Sequence, residues 1–270
     1  MSDGLLRALE GGTEVYDLSQ PLAAETPHSP NHPPFRMALM RRHGDMVRED
    51  GSSAANELIS TGGHTGTHVD ALAHVSYLGH LHGGTPADEA QRGGRFSALG
   101  VDTIEPMVCR GVLLDVAGLH GVDVLPAGYG ITAEDLASAE RVAGVEVRSG
   151  DVALVRSGWA RHFAYSETFV GHETGVPGPK EEAARWLAER GVRATGAETI
   201  AYEQIKPEVG HALLPVHRLL LVERGIHIIE VMNLSKLAKA SVYEFLFVLA
   251  PLKLVGGTGS PVRPLAVVQR

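Results

Sequence analysis

Three histidines and an aspartate fall within eleven residues in the run His64-Thr-Gly-Thr-His68-Val-Asp70-Ala-Leu-Ala-His74. Neutral imidazole and carboxylate are the usual protein ligands of zinc, manganese and iron, and a catalytic site commonly uses about three of them while leaving a position open for water. His64, His68 and Asp70 can supply those three, which leaves His74 free for proton transfer. Gly66, set between two β-branched threonines, disfavours a continuous helix and argues against a plain i,i+4 histidine pair on a helix face. Water held by such a metal loses its proton near neutral pH, and a carbonyl beside the metal is polarised. The chemistry expected is hydrolysis of an amide, lactam, ester or lactone by metal-bound hydroxide, with His74 as the acid/base because its ordinary pKa suits a proton shuttle.

A second region, from Leu214-Pro-Val-His217 to Glu230, is a candidate to complete the site. Alternation in the strand after Gly225 places Ile226, Ile228 and Glu230 on one face, with His227 on the other. A carboxylate among apolar residues needs a cation or hydrogen-bond donors, so Glu230 is expected to meet either a metal or an arginine or lysine. His217 is expected in the first turn of a helix.

The elements that must hold these groups are mostly strands. Runs rich in Val, Ile and Leu recur at residues 14–18, 112–115, 152–156, 226–231, 243–249 and 265–268. Helices are expected from Thr132, which can cap ahead of Glu134 and Asp135, to before Gly144; from about Lys180 to Arg190, introduced by Pro179 and closed by Gly191; and from near Pro215 to Gly225. The chain reads as α/β, with more sheet than helix. Long turn-rich stretches lie at residues 21–34, 80–94, 171–179 and 256–264, where binding groups are often carried.

Composition excludes several classes. The chain has 270 residues, 44% of them hydrophobic and 21% charged, as in ordinary globular proteins. The formal charge of -8 and the lack of a basic cluster beyond Arg41-Arg42 speak against nucleic-acid binding. The apolar stretch around residues 245–249 is too short to span a membrane. No secretory signal is read at the N-terminus, and the lone Cys109 fits a reducing cytoplasm. One domain over residues 1–270 is expected, with 1–12 as an exposed extension.

The pattern His64-x-Gly-Thr-His68-x-Asp70-x-x-x-His74 resembles the motif of the cyclase-like metal-dependent hydrolase family, which includes bacterial kynurenine formamidases and isatin hydrolases. The resemblance extends through Asp17-Leu-Ser-Gln-Pro-Leu, Gly150-Asp-Val-Ala-Leu-Val-Arg-Ser-Gly-Trp159, Gly175-Val-Pro-Gly-Pro and Gly-Thr-Gly-Ser-Pro-Val-Arg-Pro264. It implies a compact α/β fold of the swivelling β/β/α type, assembled as a homodimer or homotetramer, and a small-molecule substrate such as an aryl formamide or an isatin-like lactam. It also implies roles: His64, His68 and Asp70 bind the principal zinc or manganese, His74 is the acid/base, and His217 with Glu230 contribute where a second ion is bound. A lyase, dehydratase or lactonase using the same metal is the alternative.

Two departures from the family pattern bear on the substrate. The segment Thr26-Pro-His-Ser-Pro30 lacks the tryptophan expected to stack on an aryl ring, so His28 and Ser29 stand in its place, and Trp159 is a further candidate for substrate contact. The usual Asp-Ala-Pro is Asp70-Ala71-Leu72, which removes no ligand.

Overall fold

Val152 and Leu154 point to one face of their strand and Ala153 and Val155 to the other, and all four are buried, the pattern of an inner strand in a parallel sheet. The computed structural model, which describes residues 11–207 and 209–270, builds a nine-stranded mixed sheet around that strand. In chain order the strands used below are β1 (Thr13–Asp17), β2 (Arg36–Arg41), β3 (Asn56–Ser60), β4 (His68–Asp70), β5 (Met107–Asp115), β6 (Val152–Arg156), β7 (Ala194–Ala197), β8 (His227–Glu230), β9 (Glu244–Leu249), β10 (Gly259–Pro261) and β11 (Leu265–Gln269). Sheet order is β1-β11-β9-β5-β6-β7-β8-β4-β10. The run from β5 to β8 is parallel, and the strands on either side of it pair antiparallel.

Helices α1 (Ala133–Ala143), α2 (Glu181–Glu189) and α3 (Pro215–His217) cover one face of the parallel strands. Helix α1 starts as its sequence requires: the Thr132 hydroxyl accepts from the Asp135 N–H, and the Asp135 carboxylate accepts from the Thr132 N–H, a reciprocal cap worth about 1 kcal/mol. On the opposite face, Phe245 and Phe247 of β9 share one core with Leu113 of β5, Leu154 of β6, Ile229 of β8 and Val69 of β4. Strands far apart in the order meet there because the sheet curls over that face. This is the sheet-rich α/β architecture expected from the sequence, and all six expected strands are present.

The structure corrects the reading in four places. Helix α3 makes one α-helical turn and then widens into a π-helical segment, Arg218–Arg224, before Gly225 ends it in the left-handed region. Strand β7, Ala-Thr-Gly-Ala, has no branched run to announce it and is held by parallel neighbours on both sides. The stretch at residues 256–264, expected as loop, contains β10. Residues 36–60 form a two-stranded ribbon, β2 with β3, in which every residue of both strands is exposed except the half-buried Arg41. The first ten residues of the expected N-terminal extension lie outside the described residues. Among the described residues, no helix is long and apolar enough to cross a membrane.

Candidate active site

Register brings the predicted ligands together. Along β4, His68 and Asp70 are two residues apart and so share a face. Antiparallel pairing places Glu230 of β8 directly opposite His68, which puts the two side chains on the same side within reach of each other. His68 Nε2 lies 3.3 Å from Glu230 Oε2 and 3.5 Å from Asp70 Oδ1. From the start of α3, His217 brings its Nε2 to 3.2 Å from Glu230 Oε1 and 3.7 Å from Asp70 Oδ2. The expected face of Glu230 is therefore the one observed, and the partners that meet it are histidines.

Ahead of β4 the chain turns at Gly66, whose φ of +68° suits glycine. The two threonines beside it are anchors. Thr65 Oγ1 donates to the Pro33 carbonyl at 2.8 Å, and Thr67 Oγ1 donates to the Val231 carbonyl at 2.6 Å, so both the 21–34 loop and the end of β8 are tied to the ligand run. His64 turns back to Asp70, with Nδ1 2.8 Å from Oδ1 and Nε2 3.0 Å from Thr258 Oγ1. Its ring sits so close to β10 that a Cβ on Gly259 would lie 2.5 Å from His64 Cε1. Val231, which follows Glu230, has φ +56°; a β-branched residue there stores strain of order 1–3 kcal/mol beside the site.

Two of the histidines have their tautomer fixed by partners behind them. His68 Nδ1 faces the Gly66 carbonyl at 2.8 Å and donates to it, which turns Nε2 toward Asp70 and Glu230. His217 Nδ1 donates to Glu203 Oε1 at 2.8 Å, and the same carboxylate accepts from the backbone N–H groups of His217 and Val216, capping α3. A carboxylate behind an imidazole in this way is the usual support of a metal-ligating histidine.

The consequence is a set of buried polar atoms without hydrogen-bond partners: His68 Nε2, Asp70 Oδ2 and Glu230 Oε1. Stranding three such atoms is costly unless a cation satisfies them together. Among the described residues, ligand-type atoms converge in two sets, His68 with Asp70 and Glu230, and His64 with Asp70 and His74, and within each set they lie inside 4.8 Å of one another. Asp70 belongs to both. The predicted triad is thus divided between two neighbouring positions, and His74 stands among the ligand atoms.

Electrostatics follow from burial and from these pairings. Burial alone would raise the Asp70 carboxyl, but His74, His64 and His68 hold it well below the usual carboxylate range. Burial opposes charge on His68, yet Asp70 and Glu230 push its pKa up to about 10. His217 is likewise raised, by Glu203 and Glu230 against burial. His74 goes the other way: burial lowers its pKa to about 3 despite the pull of Asp70, and its ring stacks on His64 at 3.9 Å between centroids.

The structure adds residues that were not proposed for the site. His32 stacks on His64 at 4.9 Å and lines the chamber over the cluster, together with Asn31 and His211. Their only signal was the long loop that carries two of them. Glu203 had none. Of the substrate candidates, Ser29 lines the chamber, and His28 borders an outer hollow. Trp159 is a correction. It is buried, its indole N–H donates to the Phe169 carbonyl at 3.0 Å, and it packs against Phe169 and Val176 in the core.

With this geometry in place, the relationship to known proteins is clear. The cyclase family model matches residues 16–204, more than half of the chain, and the chain belongs to that family. The chain is similar to an isatin hydrolase from Roseibium aggregatum, 27% identical over 272 residues that cover 98% of this chain and 95% of that protein. A crystal structure of a novel cyclase superposes with a TM-score of 0.86 at 26% identity, covering 98% of this chain and 93% of the other. Isatin hydrolase A from Ralstonia solanacearum does so with a TM-score of 0.75 at 26% identity, covering 99% and 97%.

Proposed function

We propose that the chain is a metal-dependent hydrolase that cleaves the C–N bond of an amide or lactam. The observation that carries this reading is the convergence of His68, Asp70 and Glu230, whose Nε2, Oδ2 and Oε1 atoms are buried and without hydrogen-bond partners, beside a chamber lined by His74. These atoms fit a divalent cation, with His217 and His64 completing the set. A donor set of nitrogen and oxygen without cysteine suits zinc or manganese, and the sharing of Asp70 between two sets supports up to two ions. A cation held there polarises a carbonyl and eases deprotonation of water.

The remaining chemistry belongs to the chain. His74 is neutral at pH 7, because burial lowers its pKa to about 3, so it is a weak base that takes the proton of the attacking water only as the C–O bond forms. Once protonated it is a strong acid, suited to delivering that proton to the departing nitrogen as the C–N bond breaks. Glu203 keeps the His217 ring and tautomer in place. The likeness to isatin hydrolases supports cleavage of a cyclic or formyl amide.

The test is turnover of isatin and of formamides by metal-loaded protein in 18O-labelled water. Hydrolysis places solvent oxygen in the acid product, whereas elimination by a lyase or dehydratase leaves it unlabelled. We further read the protein as cytoplasmic, on its lone cysteine, and as a homo-oligomer. Exposed Met37, Leu39, Met40, Leu58 and Ile59 on the β2–β3 ribbon support assembly.

A further inference from the structure

The site reaches solvent through two connected spaces. The inner chamber, about 70 Å³, is bounded by His74, His217, Glu230, Ile200 and Leu214. The outer vestibule is about 730 Å³. Asn31 and His211 line both and form the neck between them. Ser29 ties the two sides of that neck, since its Oγ lies 3.2 Å from His211 Nδ1 and accepts the Asn31 N–H at 3.4 Å.

The volumes constrain the shape of what enters. The inner chamber is far smaller than the roughly 300–1,000 Å³ of an ordinary ligand pocket, so it takes a small carbonyl head and not a whole substrate. The rest of a substrate must lie in the vestibule. Its walls there are aliphatic, from Val170, Ile205 and Val209, with Glu173 and His172 beside them; an adjoining hollow that shares Val170, His172 and Glu173 adds Glu167 and His28. Among the described residues, neither space nor that hollow is lined by a lysine, an arginine, a phenylalanine, a tyrosine or a tryptophan.

We propose that this site selects amides with a small carbonyl head and an aliphatic body whose far end is neutral or positively charged, and that Asn31 and His211 at the neck are the specificity-determining residues. The inference rests on the hydrolase reading above. Two carboxylates with no lysine or arginine among the described lining residues repel an anionic tail and attract a cationic one. The aliphatic walls bury an alkyl body without stranding polar groups, and the neck offers the hydrogen-bonding groups that orient the amide. Burial lowers the pKa of His211, against a pull from Glu230, so the neck adds no positive charge at neutral pH.

The experiment uses zinc- or manganese-loaded full chain with three probes: N-pentylformamide, its ω-trimethylammonium analogue and its ω-sulfonate analogue. They share one scissile bond, and the sulfonate is a poor metal ligand. The expected kcat/KM is at least about tenfold higher for the ammonium than for the sulfonate at low salt, with the neutral probe between them and the gap shrinking as salt is added. Glu173→Gln should reduce that gap to about threefold, and His211→Ala should raise KM for all three by about tenfold with a smaller change in kcat. A sulfonate processed as well as or better than the ammonium compound overturns the proposal. If neither the formamides nor isatin is hydrolysed, the hydrolase reading fails. Calorimetric binding of the same probes to the metal-loaded protein then decides the selectivity, the ammonium compound binding tightest if it holds and the sulfonate binding as tightly if it does not.

Discussion

The ligand strand β4 and the β2–β3 ribbon lie a few residues apart in sequence and reverse each other's chemistry. In β4 and its partners, histidines and carboxylates are buried, and three of their polar atoms have no hydrogen-bond partner. In the ribbon, methionine, leucine and isoleucine side chains stand in solvent; Met40 is 68% exposed and Leu58 is 58% exposed. Each departs from the usual rule that apolar groups go inside and charges stay out. The difference teaches where the two proposed partners belong: a small cation in one region and, on the homo-oligomer reading, a second surface in the other. The two dependences are unequal, because an unsatisfied buried charge costs several kcal/mol, whereas a solvated leucine costs far less.

The largest effect is expected at Asp70, which both ligand sets share. Asp70→Asn should abolish detectable turnover and lower metal affinity by more than about a hundredfold, since even an outer support is worth roughly 10–100-fold; metal analysis after dialysis checks it. His74→Ala should lower kcat by about 10²–10⁴-fold while the shared set around Glu230 keeps its ion. Loss of all metal along with activity would make His74 an essential ligand. Glu203→Gln leaves the size of the side chain intact but weakens the hold on His217, and metal affinity should fall by about 10–100-fold.

Proton linkage gives a further measurement. In metal-free protein, His68 is charged at neutral pH because Asp70 and Glu230 raise its pKa to about 10, and His217 is raised as well. A metal ion needs both rings neutral, so its uptake must expel these protons, and affinity should climb as pH rises from 7 toward 9. Calorimetry in buffers of different ionisation heat should read about two protons released per ion bound by this set. The sign for stability is the reverse. The contribution of His68 to the metal-free fold is fully present below its unfolded pKa near 6.5 and is lost as pH rises through about 10. Bound metal should remove that decline.

The smallest effect on folding is expected in the ribbon. Met37 and Ile59 face each other across it, and changing both to serine should shift stability by only about 0.5 kcal/mol. The same change should reduce the assembled mass measured by light scattering. A monomeric wild-type protein would contradict the homo-oligomer reading.

Much of this was legible in the sequence where local pattern and tertiary environment agree. Inner strands such as β6 announce themselves because parallel strands are apolar on both faces, and α1 because its cap is written into Thr132 and Asp135. His64, His68, Asp70 and His74 could be named from side-chain chemistry and spacing, Glu230 only as a carboxylate in need of a partner and His217 only through the family resemblance, and the structure gathers all six. What could not be read depends on partners distant in sequence. Strand β7 is made of small residues because its neighbours press close, so that a Cβ at Gly196 would meet the Met232 sulfur at 2.6 Å. Glu203 lies in a loop without periodicity, and only the fold brings it behind His217. The division of His64 and His68 between two positions around Asp70 follows from side-chain direction, which spacing alone does not encode. Trp159 misled for a related reason, since an aromatic residue beside a glycine looks the same whether it serves the core or the cavity.

The central claim is that the stranded atoms of His68, Asp70 and Glu230 share a divalent cation. Anomalous X-ray diffraction from crystals of the full chain equilibrated with zinc or manganese tests it most directly. The account predicts an anomalous peak within bonding distance of His68 Nε2, Asp70 Oδ2 and Glu230 Oε1, at roughly 2.0–2.2 Å for zinc. A chamber that holds only water or a basic side chain at saturating metal would contradict it.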